Sequence, residues 1–184
     1  MEPFLSEIPK IRKQWKNYDL FFHEKSYPAK TLLLKEGEIA HSIFFVKKGC
    51  LRAGFTEGAR EITFQFFFEN DRIASFESFM TSSPSDLFIE TVEPTTVVIL
   101  KKKDFDFLMH KFPEIKEILL QIITRRFKHY ARLFHSHIRN NPKQRYLELL
   151  NNEPRIVQRI PQKYIASYLG ITPVSLSRIR SKIR

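Results

Sequence analysis

The sequence predicts an α+β protein in which a strand-rich first half precedes a helical second half. Between residues 31 and 102, short runs rich in β-branched and aromatic residues recur with glycines between them. From residue 104 onward, apolar residues recur instead at steps of three and four, which is the period of α-helices. With 184 residues, the chain is long enough to form one domain or two small ones around a real core.

The first half is expected to form a β-sandwich or barrel. Residues 11–25 mix aromatic and charged residues at helix-like spacing and weakly predict a helix. Strand patterns then follow at a spacing of roughly 8–12 residues, which disfavours a doubly wound parallel sheet. Gly58 is expected in the turn of a hairpin that joins two of these strands. The predicted strands are 31–34, 42–48, 51–56, 61–68, 87–92 and 95–102.

A long helix is the main element predicted for the second half. Asp104 is expected to cap a short helix over 105–111, after which Pro113 opens a helix of about 25 residues, 114–138. The apolar stripe of this helix either packs on the chain's own barrel or pairs with a second copy of the chain. We expect a two-fold dimer through Ile115, Leu119, Ile122 and neighbouring residues of this helix.

A further helix is predicted to begin at Asn141, as the N-cap, and Pro142, as the first helical residue. It is expected to end at Leu150 and to be followed by a loop over 151–154. The natural boundary between the two halves of the chain therefore lies near residues 139–141.

The net charge of +11 is unevenly distributed along the chain. Residues 1–100 carry 12 basic and 14 acidic side chains, whereas residues 101–184 carry 19 basic and 6 acidic ones. This asymmetry indicates a polyanionic partner. Nucleic acid is favoured over a membrane surface, because no basic amphipathic helix stands at a terminus. A basic surface without a partner is the alternative.

The segment 161–184 has the pattern of a helix–turn–helix. Gly170 supplies the positive φ that the turn needs, and Thr172 and Pro173 are typical of the N-cap and first residue of a second helix. An ordinary pair of antiparallel helices is the alternative. The residues expected to face inward are Ile165, Ala166, Leu169, Ile171, Leu176 and Ile179.

The outer face of the second helix suits DNA. The first residues of such a recognition helix reach base edges in the major groove, while flanking cations hold phosphates. The first helix of the motif begins with an amide and a cation that suit a phosphate. The expected DNA-binding residues are Gln162, Lys163, Thr172, Val174, Ser175, Ser177, Arg178 and Lys182.

Two stretches, EITFQFFFENDRIASFESF (61–79) and RYLELL…RIPQKYIASYLGIT…SLSRIR (145–180), resemble the CRP/FNR superfamily of bacterial transcription regulators. The chain is similar to the short form typical of Bacteroidetes-type genomes, from about residue 12 onward. This resemblance implies an N-terminal cyclic-nucleotide-binding-type β-roll, a long dimerisation helix and a C-terminal winged helix–turn–helix. The expected units are a sensor domain (1–113), a dimerisation helix (114–139) and a DNA-binding domain (140–184).

The phosphate cassette of the family's cyclic-nucleotide members is degenerate in this sequence. In those members a Gly-Glu pair binds the ribose, and an Arg-Ser/Thr pair about ten residues later neutralises the cyclic phosphate. These positions fall on Ala74, Ser75, Ser85 and Asp86, and a position that contacts adenine falls on Tyr130. A phosphate would meet Asp86 where a cation is expected, which is costly in a buried site. We therefore expect the cyclic AMP site to be lost; a cassette shifted in register is the alternative.

The recognition helix also departs from the family pattern. Where family members carry a Glu that accepts from cytosine, this chain has Val174, which makes only apolar contacts, such as one with a thymine methyl group. Arg178 is retained and suits guanine. The expected operator is thus a near-palindrome unlike that of the best-known members. A wing is expected either within residues 151–160 or not at all.

No catalytic or metal site is expected. His135 and His137 point about 200° apart on a helix and cannot share an ion. Cys50, the single cysteine, excludes an internal disulfide and fits a reducing cytoplasm. We expect it to be a buried small hydrophobe, with redox sensing as the alternative. Phenylalanines are expected mostly in the core, or alternatively around an apolar effector pocket, at positions 64, 66, 67, 68, 76 and 79.

Together these patterns predict a homodimeric, sequence-specific DNA-binding transcription regulator that is not an enzyme and has no cofactor. Double-stranded DNA and a second copy of the chain are its expected partners. RNA polymerase and an unidentified small-molecule effector are further candidates, and no membrane partner is expected, since the sequence contains neither a membrane span nor a secretory signal. The alternative is a ligand-binding β-roll sensor that acts through protein contacts.

Overall fold

The alternating apolar residues of the first half form eight strands in the computed structural model, which describes residues 18–183. The strands make two four-stranded antiparallel sheets, one in the order β1-β8-β3-β6 and the other in the order β2-β7-β4-β5. Their bounds are β1 (Phe22–Tyr27), β2 (Leu32–Leu34), β3 (Ser42–Lys48), β4 (Leu51–Glu57), β5 (Arg60–Phe67), β6 (Arg72–Ile73), β7 (Phe88–Thr91) and β8 (Thr95–Lys101). The predicted β-roll is confirmed.

The hairpin of β4 and β5 closes as the sequence predicts. Glu57 pairs with Arg60, and Gly58 in the turn between them has a φ of +60°, which favours glycine. Farther along the hairpin, the register shifts between Ala53 and Gly54. A Cβ at Gly54 would clash with the neighbouring strand and with a ring of β7, so the close approach of the strands requires glycine there.

The helix predicted over residues 11–25 is wrong where the structure describes it. Residues 19–21 make a single 3₁₀ turn, and β1 then pairs along its whole length with β8, from Phe22 opposite Leu100 to Tyr27 opposite Thr95. The pairing partners lie 68 to 78 residues away along the chain, so local spacing carries no sign of them. Residues 11–17 lie outside the described part of the chain.

Seven α-helices follow or interrupt the strands within residues 18–183. They are α1 (Phe76–Thr81), α2 (Lys102–Lys111), α3 (Ile115–Arg139), α4 (Pro142–Asn152), α5 (Pro154–Arg159), α6 (Gln162–Tyr168) and α7 (Pro173–Ser181). The long helix agrees with its predicted bounds to within one residue. Asp104 is not the cap of α2: the helix begins earlier, at Lys102, and Asp104 lies in its first turn, where a carboxylate still favours the helix start.

The start of α4 is a capping box, as its sequence indicates. Asn141 Oδ1 accepts from the backbone N of Gln144, and Gln144 Oε1 accepts from the backbone N of Asn141, at 3.0 and 2.9 Å. The loop predicted over 151–154 is wrong, because α4 continues to Asn152 and Pro154 already opens α5. Residues 151–160 contain no strand, so the first of the two expectations for a wing, that it lies in this segment, is wrong.

Two apolar cores result, and the second one crosses between the β-roll and the C-terminal helices. The first core lies inside the roll and includes α2 and the start of α3. The second, here called the shared core, joins the outer face of the roll to α4–α7. Its members are Cys50, Phe66, Phe68, Val92, Tyr146, Leu149, Ile156, Ile160, Tyr164, Ile165, Ala166, Tyr168, Leu169 and Leu176.

An ion-pair cluster stands at the edge of the shared core. Arg159 of α5 donates to both carboxylate oxygens of Glu69 at 2.8 Å and also pairs with Glu93, and its guanidinium lies 5.1 Å from the centroid of the Phe68 ring. Glu69 in turn accepts from the backbone N of Gly49 at 2.8 Å. We call Arg159, Glu69 and Glu93 the Arg159 clamp; it ties α5 to the roll.

A buried arginine makes a second link between the roll and the helices. Arg52 of β4 is 1% exposed, pairs with Glu90 at 2.6 Å and with Glu61, and lies 4.1 Å from the centroid of the Tyr164 ring on α6. Beside it, the backbone N of Thr63 donates to Ser167 Oγ of α6 at 2.9 Å. Helix α6 is therefore fixed directly on β5.

Because of the Arg159 clamp, the stability of the protein is expected to change with pH in the acidic range. The hydrogen bonds from Arg159 lower the pKa of Glu69 to about 2, from an ordinary value near 4.5. A carboxyl whose pKa falls on folding stabilises the protein above its unfolded pKa, and this contribution is lost as the pH drops from about 4.5 toward 2. We expect Glu69→Gln to lose about 1–2 kcal/mol of unfolding free energy at pH 7 and less at pH 3.

Urea unfolding at the two pH values measures this difference. Glu57→Gln is the matched control, because Glu57 is exposed at the tip of the hairpin. Equal losses for the two variants at pH 7 would contradict the assigned role of Glu69.

Candidate functional site

Helices α6 and α7 form a helix–turn–helix. Gly170 has a φ of +65°, and the backbone N of Ile171 donates to the carbonyl of Ala166 at 2.9 Å, which closes the turn. Ala166 of α6 and Leu176 of α7 are both fully buried and lie in the same core. The small side chain of Ala166 thus belongs to the same core as Leu176, the apolar residue that anchors α7. The predicted turn and inner face are confirmed.

The second helix begins at a side-chain cap. Thr172 Oγ1 accepts from the backbone N of Ser175 at 3.2 Å and lies 3.0 Å from Ser175 Oγ. Pro173 is the first helical residue, as predicted. The side chains of Thr172 and Ser175 are therefore held by the helix start.

The outer face of α7 is open to solvent. Val174 is 61% exposed, and Ser177, Arg178 and Lys182 are exposed as well. Neither Arg178 nor Lys182 forms an ion pair with any residue between 18 and 183. Arg178 on α7 and Lys182 just after it are thus cations without an ion-pair partner, and Val174 adds an exposed apolar side chain at the start of the helix.

A shallow groove lies between the start of α6 and the end of α7. It has a volume of about 190 Å³ and is lined by Gln162, Ser177, Arg180 and Ser181. Lys163, which follows Gln162 on α6, is exposed, with its Nζ 4.5 Å from the centroid of the Tyr164 ring. Sequence reasoning missed Arg180; its spacing of three from Ser177 was the available signal, since such residues share a helix face.

The β-roll contains a cavity of about 340 Å³ between the sheets and α3. Four of the six phenylalanines that the sequence singled out line it: Phe64, Phe67, Phe76 and Phe79. The other two, Phe66 and Phe68, lie in the shared core. The first expectation is confirmed for Phe67 and Phe79, which also belong to the core of the roll, and for Phe66 and Phe68.

The residues of the degenerate cassette separate in the structure. Ala74 and Tyr130 line the cavity. Ser75 and Ser85 are buried with their Oγ atoms 2.8 Å apart, and Ser85 Oγ also lies 2.7 Å from the carbonyl of Leu87. Asp86 is exposed and does not line the cavity, so the expected repulsion between Asp86 and a bound phosphate is wrong. The cassette loop supplies neither an anion nor a cation to the cavity.

Two polar groups on α3 are neutral: Tyr130 lines the cavity, and His129 beside it lines a neighbouring cleft. Burial, together with the charges of Arg126 and Arg132, lowers the pKa of His129, so the imidazole is neutral at pH 7. Its Nε2 lies 2.9 Å from Gln65 Oε1, and because an amide oxygen only accepts, the imidazole donates. Burial raises the pKa of the neighbouring Tyr130, which keeps the phenol protonated.

Helix α3 carries an exposed apolar stripe, but not at the residues that the sequence selected. Ile115 is 1% exposed in the chain's own core, and Leu119 and Ile122 pack against that core. Ile115 therefore has no surface to offer a partner, and the predicted dimer interface is wrong at this residue. The exposed residues, called the α3 stripe below, are Leu120, Ile123, Phe127, Phe134 and Ile138.

Cys50 and the histidines add no reactive site. Burial raises the pKa of the Cys50 thiol to about 12, and Cys50 is fully buried, as expected of a small hydrophobe. Between residues 18 and 183, no three metal-ligating side chains lie close enough to hold an ion. Across the same residues, no helix is both long and apolar enough to cross a membrane.

The family model of the cyclic nucleotide-binding domain matches residues 24–112, which span β2–β8 with most of β1, and α1 and α2. No curated protein sequence matches the chain significantly. Solved structures share its fold at sequence identities of 16–22%.

Three of these structures cover most of the chain. CLP of Xanthomonas campestris, described as a c-di-GMP responsive global regulator, has a TM-score of 0.75 and 16% identity, covering 94% of this chain and 91% of its own. FixK2 of Bradyrhizobium japonicum has a TM-score of 0.76 and 19% identity, with coverages of 88% and 84%. A CooA mutant from Carboxydothermus hydrogenoformans has a TM-score of 0.69 and 18% identity, with coverages of 89% and 76%. The likeness extends through the β-roll, α3 and the C-terminal helices.

Proposed function

Because residues 24–112 match the cyclic nucleotide-binding domain and the chain shares its fold with CLP and FixK2, we propose that it is a sequence-specific DNA-binding regulator of the CRP/FNR type. In this proposal residues 1–113 act as the sensor domain, 114–139 as the dimerisation helix and 140–184 as the DNA-binding domain. Double-stranded DNA is the partner, and the chain acts by binding, not by catalysis.

The open outer face of α7 carries the proposal. Arg178 on α7 and Lys182 just after it face solvent without an ion-pair partner among the described residues, whereas Arg145 of α4 is used internally to hold the carbonyl of Leu169. Unpaired cations on a protruding helix are what a phosphate backbone and a guanine edge bind. Val174 at the start of the same helix suits a thymine methyl group.

A dimer supports two half-sites. The α3 stripe exposes large apolar side chains at steps of three, four and seven, which is the pattern of a helix that pairs with a copy of itself. Two copies of α7 related by a two-fold axis then enter successive major grooves, about 34–36 Å apart. We therefore expect a near-palindromic operator. The alternative is a β-roll sensor that acts only through protein contacts. The cavity in the roll favours this alternative, and the DNA-binding experiment below distinguishes it from the DNA-binding regulator.

The DNA-contact assignments are tested on the best sequence from in vitro selection with the full chain. Arg178→Ala is expected to weaken specific binding by about 1–3 kcal/mol per half-site and to relax preference at one base pair, since Arg178 is aimed at a base. Lys163→Ala is expected to weaken all sequences alike and to lower the salt slope by about one unit per half-site, since Lys163 is aimed at a phosphate. Titrations by fluorescence anisotropy at several salt concentrations measure both effects.

Lys103→Ala is the charge-matched control, because Lys103 is exposed on α2 of the roll. If Arg178→Ala weakens specific and random DNA equally, Arg178 contacts phosphate instead of a base. If neither α7 nor α6 variant differs from the control, DNA binding through the helix–turn–helix is disproved and the sensor alternative stands.

The α3 stripe is tested through the mass in solution. We expect the wild-type protein to scatter light as twice its chain mass of 21.9 kDa. Phe134→Asp, which places a charge in the stripe at a residue 65% exposed, is expected to give the monomer. Leu20→Asp, at an exposed apolar residue away from α3, is expected to remain a dimer. A wild-type monomer at micromolar concentration contradicts the proposal.

Cyclic AMP is expected not to bind, because no cassette residue offers the carboxylate or the guanidinium that the family's nucleotide site uses. A ligand present at 100 times its dissociation constant adds about 2.7 kcal/mol of stability. Millimolar cyclic AMP should therefore leave the melting temperature unchanged in a thermal-shift measurement. A clear rise would restore a cyclic-nucleotide sensor.

A further inference from the structure

The cavity of the β-roll has an apolar wall with positive charge at one end. Its lining contains eight aromatic rings together with aliphatic side chains, and within residues 18–183 its only charged lining residues are Arg72 and Arg126. We propose that the cavity binds an apolar carboxylate, with the hydrocarbon body among the rings and the carboxylate against Arg126. This inference names the effector class of the sensor domain and so rests on the proposed function.

The wall excludes ligands with many polar groups. Side chains such as Phe45, Phe64, Phe79 and Phe105 offer no hydrogen bond, and the buried hydroxyls of the cassette loop already bond one another behind the wall. A ribose or a cyclic phosphate bound there would leave several polar atoms without partners, which is costly. An alkyl or aryl group loses no hydrogen bonds when it enters the cavity, and its transfer out of water is favourable in free energy.

Arg126 provides the anchor for one carboxylate. Its guanidinium lies 4.6 Å from the centroid of the Phe67 ring, and its Nη2 donates to the carbonyl of Arg72 at 3.0 Å, which holds the side chain at the cavity. Its other donors form no hydrogen bond with the described residues. Arginine has five donors in a planar fork that matches a carboxylate, so most of this fork is available.

No acidic side chain competes for this anchor from the cavity wall within the described residues. Arg126 also borders a second cleft, which contains Asp71 and Glu153, but neither carboxylate forms an ion pair with Arg126, and Asp71 Oδ2 accepts from the backbone N of Phe68 at 2.9 Å. The neighbouring phenol and imidazole, Tyr130 and His129, are neutral at pH 7. The end of the cavity at Arg126 therefore favours a single negative charge on its ligand.

Isothermal titration calorimetry on the full-length protein without DNA tests the proposal. The probes are octanoate, its neutral counterpart 1-octanol, and 4-phenylbutyrate, which separates an alkyl from an aryl body. At low salt we expect at least one of the two carboxylates to bind tenfold or more tightly than octanol. Raising the salt should reduce this preference, because part of it comes from charge attraction.

Two variants one residue apart locate the anchor. Arg126→Gln is expected to remove the preference for the carboxylate over octanol, whereas Arg125→Gln, at an exposed arginine that does not line the cavity, is expected to keep it. Ala74→Phe, which fills the cavity, is expected to abolish binding of carboxylate and alcohol alike. If Arg126→Gln does not fold, the salt dependence of the wild-type protein decides.

Three results would overturn the proposal: no binding of either carboxylate, equal binding of octanol and the carboxylates, or the same loss in Arg125→Gln as in Arg126→Gln. Because the calorimetry contains no DNA, its outcome is separate from that of the operator titrations. Binding of carboxylates without binding of DNA would support this inference and contradict the regulator proposal. Binding of DNA without binding of carboxylates would contradict this inference and support the regulator proposal.

Discussion

The shared core decides how the two halves of the molecule stand relative to each other. Phe66 and Phe68 on the outer face of the roll pack with Tyr168 and its neighbours in the helix–turn–helix, and the Phe66 and Tyr168 ring centroids lie 5.4 Å apart. Burial of this apolar surface stabilises the contact between the two halves. The ion pairs of the Arg159 clamp and of Arg52, at the edge of the surface, fix the orientation of the helices on the roll. The position of α7 follows, since Leu176 anchors it in the same core.

Strand β5 places the cavity and the helix–turn–helix on opposite sides of one layer. Phe64 and Phe67 line the cavity, whereas Phe66 and the adjoining Phe68 belong to the shared core. This explains the three consecutive phenylalanines at 66–68: both faces of the chain are covered there, so all three rings are buried. A ligand that displaced Phe64 or Phe67 would act on a strand that also holds α6 through Thr63 and Ser167.

Local signals located the starts of α4 and α7, because a helix cap depends on residues that are adjacent in the sequence. Asn141 and Pro142, like Thr172 and Pro173, mark helix starts that the structure reproduces. Features that depend on distant partners were missed: β1 exists through its pairing with β8, and the shared core joins residues about a hundred positions apart. The apolar stripe of α3 was visible, but which residues face the roll depends on the rotation of the helix. Ile115 was therefore predicted at a dimer interface although it is buried in the core of its own chain. Asp86, on a loop, was predicted at the effector site although it is exposed.

The most direct test of the shared core is the reactivity of Cys50, the single cysteine, which is fully buried in it. Iodoacetamide labelling followed by mass spectrometry reports how often this core opens. The account predicts that Cys50 in the native protein is labelled far more slowly than in urea, and that Arg159→Ala speeds labelling while the circular dichroism of the roll is unchanged. Rapid labelling of the native protein, or a rate that Arg159→Ala leaves unaltered, would contradict it.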